Sequence, residues 1–288
     1  MTNRRKFIRQ STLLLAGSGM ASLFQCSPSV EQTTKITRPF GIQLYTLRDI
    51  IGDDFRGLLS NLASFGYTQI ETFEGSQGIL WGMEAADCKA YMDDLGLSMV
   101  SAHCDINKDF EQKVETAVAM GMKYLVCPYL GPKDSMDDFK RWADTFNEKG
   151  KICKENGLRF AYHNHDYSFK VLDGEIPQTV MMENTDPDLV DFELDMYWAV
   201  VAGEDPLAWM EKHPGRFKLS HIKDRSKEPF GDEGQQSVDL GTGIIDYRTI
   251  VPKALELGME YLLVEQEYYP NGSSLEAAKV DADFMKSS

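Results

Sequence analysis

From Phe40 onward one unit recurs eight times: a short β-rich run, a polar turn, then an amphipathic stretch with helical periodicity. The runs fall at Phe40–Leu47, Tyr67–Phe73, Leu97–His103, Tyr124–Tyr129, Leu158–Asn164, Val190–Asp195, Phe217–Ile222 and Tyr261–Gln266. Helical patterns lie between them, among them Asp54–Phe65, Ala85–Leu95, Phe110–Met120, Met136–Glu155 and Tyr247–Leu257. Gly66, Gly96, Gly121, Gly157 and Gly258 each stand just past such a pattern, where a left-handed residue ends a helix and glycine adopts that backbone cheaply. Strands alternating with helices build a parallel sheet, and eight strands close it. An open doubly wound sheet would need a glycine-rich phosphate turn after the first strand, and Thr46-Leu47-Arg48-Asp49 is not one. The expectation is one α/β domain, a single (βα)8 TIM barrel over residues 39–288. With 288 residues, 42% of them apolar and 26% charged, the chain suits one such domain.

The first 25 residues read differently. Arg4, Arg5, Lys6 and Arg9 precede a short, glycine-containing apolar stretch, the pattern of an export signal peptide. Arg4-Arg5-Lys6-Phe7-Ile8-Arg9 resembles the twin-arginine export motif. Cys26 follows directly and is a candidate lipidation site, with the polar stretch 26–38 as a tether. These features predict an exported protein, periplasmic or lipid-anchored at the bacterial envelope. Beyond the leader, 26 basic residues face 45 acidic ones, so the rest of the chain is more acidic than the overall charge of −15. That sign excludes nucleic acid as a partner, and a membrane is reached only through the lipid anchor. Cys88, Cys104, Cys127 and Cys153 form no Cys-x-x-Cys pair and read as buried small hydrophobes. No patch in the sequence dictates an oligomeric state.

Barrels of this kind carry their chemistry at the C-terminal ends of the strands. Those ends hold Glu71, His103, His163-Asn164-His165-Asp166, Glu193-Leu194-Asp195, His221-Ile222-Lys223-Asp224 and Glu265-Gln266-Glu267. Four of the five histidines stand there. Asp195, His221 and Glu265 come from three successive strands, and such a mixed oxygen and nitrogen set favours Mn²⁺, Co²⁺ or Mg²⁺ over structural zinc, with zinc still admissible. His163 and His165 are two apart and share a strand face, so one is expected on the metal and the other on substrate. Lys223 shares its face with His221 and is a candidate electrostatic catalyst. Glu71, His103, Asn164, Glu267 and Trp198 are candidate substrate contacts, with Trp81 and Tyr129 as further rings that a sugar could stack on. Asp239-Leu240-Gly241-Thr242-Gly243 reads either as a turn or as backbone that approaches a ligand.

Four ordered motifs carry a family resemblance: Ala161-Tyr162-His163-Asn164-His165-Asp166, Glu193-Leu194-Asp195-Met196-Tyr197-Trp198, His221-Ile222-Lys223-Asp224 and Val264-Glu265-Gln266-Glu267. They resemble the sugar phosphate isomerase/epimerase family of the xylose isomerase-like barrels, from about Phe40 to the end. The resemblance implies one divalent metal held by Asp195, His221 and Glu265, with a fourth ligand from the fifth strand. Ketose 3-epimerases use a glutamate there, near Ala161, so His163 or His165 must substitute, His165 being preferred. Relatives with the His-Asn-His motif often carry glutamate where Ser168 stands, and of the epimerases' acid/base glutamate pair only Glu265 is matched.

The chemistry expected of such a site is abstraction of a proton next to a carbonyl, aided by the metal, with Glu265, His163 or His165 as base. Reprotonation gives an isomerase or epimerase, whereas loss of a β-substituent gives a lyase, for instance releasing the aglycone of a 3-keto-glycoside. Export argues for an unphosphorylated keto-sugar, because sugar phosphates are cytosolic. The leading expectation is an isomerase/epimerase, followed by the lyase. A non-catalytic sugar-binding lipoprotein is the reading from another class.

Overall fold

The computed structural model describes residues 38–228, 230–232 and 236–287. The expected signal peptide, the candidate lipidation site Cys26 and the expected tether up to residue 37 lie outside the described residues. Eight parallel strands close into a barrel: β1 Gly41–Gln43, β2 Gln69–Phe73, β3 Ser98–His103, β4 Tyr124–Cys127, β5 Arg159–His163, β6 Val190–Asp195, β7 Phe217–Ile222 and β10 Tyr261–Val264. Each strand pairs with its sequence neighbours among these eight, and β10 closes onto β1. A small antiparallel pair, β8 Asp224–Arg225 and β9 Ser237–Val238, sits between the last two barrel strands in sequence. Outer helices include α1 Phe55–Phe65, α2 Ala85–Leu95, α3 Phe110–Met120, α4 Met136–Glu155, α5 Pro177–Glu183, α6 Met196–Val201, α7 Pro206–Lys212, α8 Tyr247–Glu256 and α9 Ser274–Ser287. The barrel and the alternation read from the sequence are those observed. All five helix-ending glycines have positive φ, from 71° to 101°.

The first strand is shorter than its β-rich run. Gln43 ends it because its side chain accepts a hydrogen bond from the Tyr45 backbone N–H at 3.0 Å, capping a 3₁₀ turn over Leu44–Leu47. The turn-or-ligand choice at 239–243 also resolves. Asp224 accepts backbone N–H bonds from Gly241, Gly243 and Ile245 at 2.9–3.0 Å, so this segment is tied down as structure. A Cβ on Gly243 would lie 2.2 Å from the Asp224 carboxylate, which is why glycine stands there.

The core has two parts. Inside the barrel, Val100, Tyr124, Val126, Ala161, Leu219 and Leu263 form a small apolar plug. Between strands and helices lies a much larger apolar shell, from Phe40 and Ile42 through Phe160 and Phe192 to Met285. Above the plug the inward positions turn polar. Strand alternation puts His163 two residues beyond Ala161, His221 two beyond Leu219 and Glu265 two beyond Leu263, each one step nearer the C-terminal mouth.

Candidate metal and substrate site

Two layers of polar side chains fill the mouth. The deeper layer is Glu71, His103, Glu193 and His221, all buried. His221 Nε2 lies 2.9 Å from Glu71 Oε1, which also accepts from Gln43 Nε2 at 2.8 Å. Burial raises the Glu71 carboxyl, but the nearby His103 and the hydrogen bond from His221 outweigh that and leave it at about 2. Ionised Glu71 can only accept, so Nε2 of His221 carries the proton in that bond. His103 Nε2 meets Glu193 Oε2 at 2.7 Å. Burial, then the neighbouring Glu71, drives Glu193 well above the usual carboxylate range, while burial lowers His103.

The upper layer is His163, Asp195, the other face of His221, and Glu265. The β6–β7 register places Asp195 opposite His221. Asp195 is also the N-cap of α6: its Oδ1 accepts the Trp198 N–H at 2.9 Å, which leaves Oδ2 for the mouth. His163 Nδ1 lies 3.0 Å from the Pro128 carbonyl, so Nδ1 must donate and Nε2 presents a lone pair. That Nε2 is 3.4 Å from Asp195 Oδ2. His221 Nδ1 is 3.5 Å from the same oxygen and 3.2 Å from Glu265 Oε2. His163 Nε2, Asp195 Oδ2 and His221 Nδ1 are all buried without a hydrogen-bond partner, and they lie within 4.8 Å of one another.

Buried, unpartnered donor atoms are costly to a fold, and lone pairs turned toward carboxylates need a cation between them. A proton on His221 meets that demand: burial disfavours it, but Glu265 and Glu193 push this histidine well above its ordinary value. A divalent cation meets it as well, since imidazole nitrogen and carboxylate oxygen are its usual donors. The residues present therefore fit the expected metal.

Lys223 is fully buried beside this layer. Its Nζ bonds Glu267 and lies 3.4 Å from Glu265 Oε2 and 4.0 Å from Asp195 Oδ2. Burial would lower it, but Glu267, Glu265 and Asp195 prevail and raise it. It remains a fixed cation.

Above both layers opens a cavity of about 330 Å³ lined by Tyr45, His103, Pro128, Tyr129, His163, His165, Glu265 and Glu267. Most predicted site residues meet here, with some changed places. His163, not the preferred His165, stands with Asp195 and His221. His165 lines the cavity, its ring 5.2 Å from Trp198 and 5.8 Å from Tyr167. Burial and then His163 hold it well below the usual histidine range, as neutral imidazole.

Three expected substrate contacts are corrected. Asn164 is fully buried and gives both ends of its amide to the Asp195 backbone, donating to O at 3.0 Å and accepting from N at 3.1 Å. Glu71 lies below the cavity as the partner of His221. Trp198 supports Lys223 at 5.0 Å and His165, and does not line the cavity. Trp81 packs on Phe73 instead. His103, Glu267 and Tyr129 do face the cavity.

Sequence reasoning missed Gln43, Glu193 and Tyr45. Glu193 had a signal, since it sits two before Asp195 on one strand and must face the same way. The other two gain their roles only through strand neighbours and a chain turn.

Comparison with known proteins agrees with the fold. The chain is 24% identical over 285 residues to an inosose dehydratase of Geobacillus kaustophilus (strain HTA426), covering 82% of this chain and 90% of that protein. It matches an inosose dehydratase of Lacticaseibacillus casei at 28% identity over 50% of that protein. A solved sugar phosphate isomerase/epimerase from Parabacteroides distasonis ATCC 8503 shares 31% identity, with a TM-score of 0.73 over 89% of this chain and 96% of that one. The IOLI protein, solved with a bound zinc atom, shares the fold at 18% identity and a TM-score of 0.71, covering 85% and 96% of the two chains. The family model of the xylose isomerase-like TIM barrel matches residues 59–288, and the chain belongs to that family.

Proposed function

We propose that this protein is a metal-dependent enzyme that enolises an unphosphorylated keto-sugar or cyclic polyhydroxy ketone and completes the reaction by β-elimination. The observation that carries the reading is the convergence of three buried, unpartnered atoms, on His163, Asp195 and His221, at the floor of a sugar-sized cavity. His163, Asp195, His221 and Glu265 would hold the metal. When bound, it would act as a Lewis acid that polarises the substrate carbonyl and acidifies the adjacent carbon.

The chain's own residues supply the rest. Neutral His165 and the carboxylate of Glu265 face the cavity, where either can accept the α-proton. The proton's electron pair forms the carbon–carbon double bond as the β-substituent departs, and that substituent takes a proton on leaving. The base that took the α-proton returns it to the leaving oxygen, while Glu267, ion-paired with Lys223, lies on the cavity wall. Lys223 steadies the negative charge of Glu265 and Glu267. Among the described residues no arginine or lysine lines the cavity, whereas two carboxylates do, so a phosphate dianion would meet repulsion.

Elimination is preferred over simple reprotonation because the relative matched over 90% of its length is a dehydratase. The isomerase/epimerase outcome stays as the second reading, favoured by the 31% identical Parabacteroides structure. The protein is further proposed to work outside the cytoplasm, on the evidence of the twin-arginine-like leader and Cys26.

The test is proton NMR in D₂O with the Mn²⁺- or Co²⁺-loaded protein, offering free ketohexoses and a 3-keto-glucoside. Metal-dependent deuterium uptake beside the carbonyl, absent in Asp195→Ala, is the expected result. Loss of the β-substituent identifies the lyase, and an epimer or isomer identifies the second reading. Bound metal without exchange on any substrate would overturn enolisation for this panel.

A further inference from the structure

Among the described residues, three large aromatic side chains are exposed, Tyr45, Tyr129 and Tyr268, and all three follow the C-terminal ends of barrel strands. Two of them, Tyr45 and Tyr129, also line the cavity. They are exposed by 40% and 56% respectively, yet neither is loose. Phe73 meets Tyr45 edge-on at 5.2 Å, and the Arg48 guanidinium lies 4.7 Å from the ring centre. Arg48 is itself fixed by the carbonyls of Tyr45 and Glu267 and by the Tyr269 hydroxyl, at 2.7–3.0 Å. Tyr129 is met edge-on by His165 at 4.8 Å and by Tyr167 at 5.5 Å.

Rings braced by their neighbours but left open to solvent at a cavity mouth are suited to recognition: they offer large apolar faces and lose little freedom on binding. The polar floor accounts for one reacting unit, while the cavity of about 330 Å³ extends past it to the two tyrosines on its wall. The aromatic rim is left over.

Resting on the enolisation reading above, we infer that Tyr45 and Tyr129 form an outer subsite for a ring carried by the leaving group, so that the substrate is a glycoside and not a free monosaccharide or cyclitol. The shared chemistry is a six-membered ring with an apolar face, met either in an aromatic aglycone or in a second sugar. In the reaction, the C–H bond beside the carbonyl breaks and the bond to the glycosidic oxygen breaks with it. The base holds the proton and the ring leaves as its alcohol after protonation.

The experiment is an NMR titration of the metal-loaded full chain with methyl β-glucoside, phenyl β-glucoside and cellobiose. None has a ketone, so binding is read independently of turnover. The phenyl compound, cellobiose or both should bind more tightly than the methyl compound, by about 2–10-fold for each tyrosine engaged. Tyr45→Ala and Tyr129→Ala should lower that ratio, and Tyr45→Phe should preserve it. Whichever of phenyl glucoside and cellobiose gains more identifies the ring. Equal affinities, no measurable binding of any of the three, or a ratio that survives both alanine variants would overturn the subsite. A ring preference without deuterium exchange on ketones would leave the subsite standing and count against enolisation, and exchange without a preference would do the reverse.

Discussion

The two polar layers of the barrel use the same residue types and differ in pairing: the deeper one is knit by short bonds that leave one oxygen each of Glu71 and Glu193 without a partner, whereas the facing atoms of the upper one share no bond. In the deeper layer His221 is paired with Glu71, Glu71 with Gln43, and His103 with Glu193, each at 2.7–2.9 Å. In the upper layer His163 Nε2, Asp195 Oδ2 and the second nitrogen of His221 face one another with no hydrogen bond between them. His221 belongs to both layers, and the deeper one decides what the upper one can do. Glu71 takes the proton-bearing nitrogen and thereby turns a lone pair upward. Burial and residue type do not separate a ligand site from a structural network. The tautomer forced by each histidine's other partner does.

The strongest break in this contrast is removal of Asp195, whose Oδ2 is shared by both upper histidines. In Asp195→Ala, metal affinity measured by calorimetry should fall by more than the roughly 10–100-fold typical of a residue that merely supports a ligand. Turnover should fall with it. Glu71→Gln tests the layer beneath. The amide can still reach His221 but lacks the charge that holds its proton, so Mn²⁺ affinity should drop by about 10–100-fold. An unchanged affinity would mean that His221 is oriented by something other than Glu71.

The barrel itself was legible because each strand–helix unit is punctuated locally, by a glycine past the helix and a β-rich run after it. The strand-end residues were legible for the same reason: their place on a strand determines the end of the barrel they occupy. Their mutual roles were not. Glu71 and His221 are 150 positions apart, and no local pattern says that one serves the other. Asn164, a candidate substrate contact by sequence, lies between two histidines, yet alternation turns it away from them and onto the neighbouring strand. His165 was preferred over His163 as the metal partner, and the structure sets His163 there because the Pro128 carbonyl fixes its ring.

Asn164 gives a smaller, structural effect. Its amide bonds both backbone groups of Asp195, so Asn164→Ala takes the partner from the buried Asp195 N–H and one of the bonds from its C=O. The loss in urea unfolding should be roughly 1–3 kcal/mol. It should exceed that of a surface Asn→Ala control, and part of the metal affinity should go with it as Asp195 shifts. A variant as stable as the parent would show that the β5–β6 strand ends hold Asp195 without this bridge.

The smallest effect is expected at Glu193, and it sharpens the difference between the two deep carboxylates. Burial and the adjacent Glu71 raise Glu193 well above its unfolded value of about 4.3. An acid raised in the folded state contributes stability that is fully present below the unfolded value and is lost as pH rises through the folded one. Glu193→Gln is neutral at every pH and keeps an amide oxygen and a donor for His103. In the metal-free protein the variant should therefore gain on the parent between pH 5 and pH 8, read as the difference between their urea unfolding free energies. Its Mn²⁺ affinity at neutral pH should stay near that of the parent, in contrast with Glu71→Gln. A stability difference that does not move with pH would mean that Glu193 is ionised beside Glu71. The deeper layer would then carry two negative charges, and the distinction between a charged, orienting carboxylate and a neutral, space-filling one would fail.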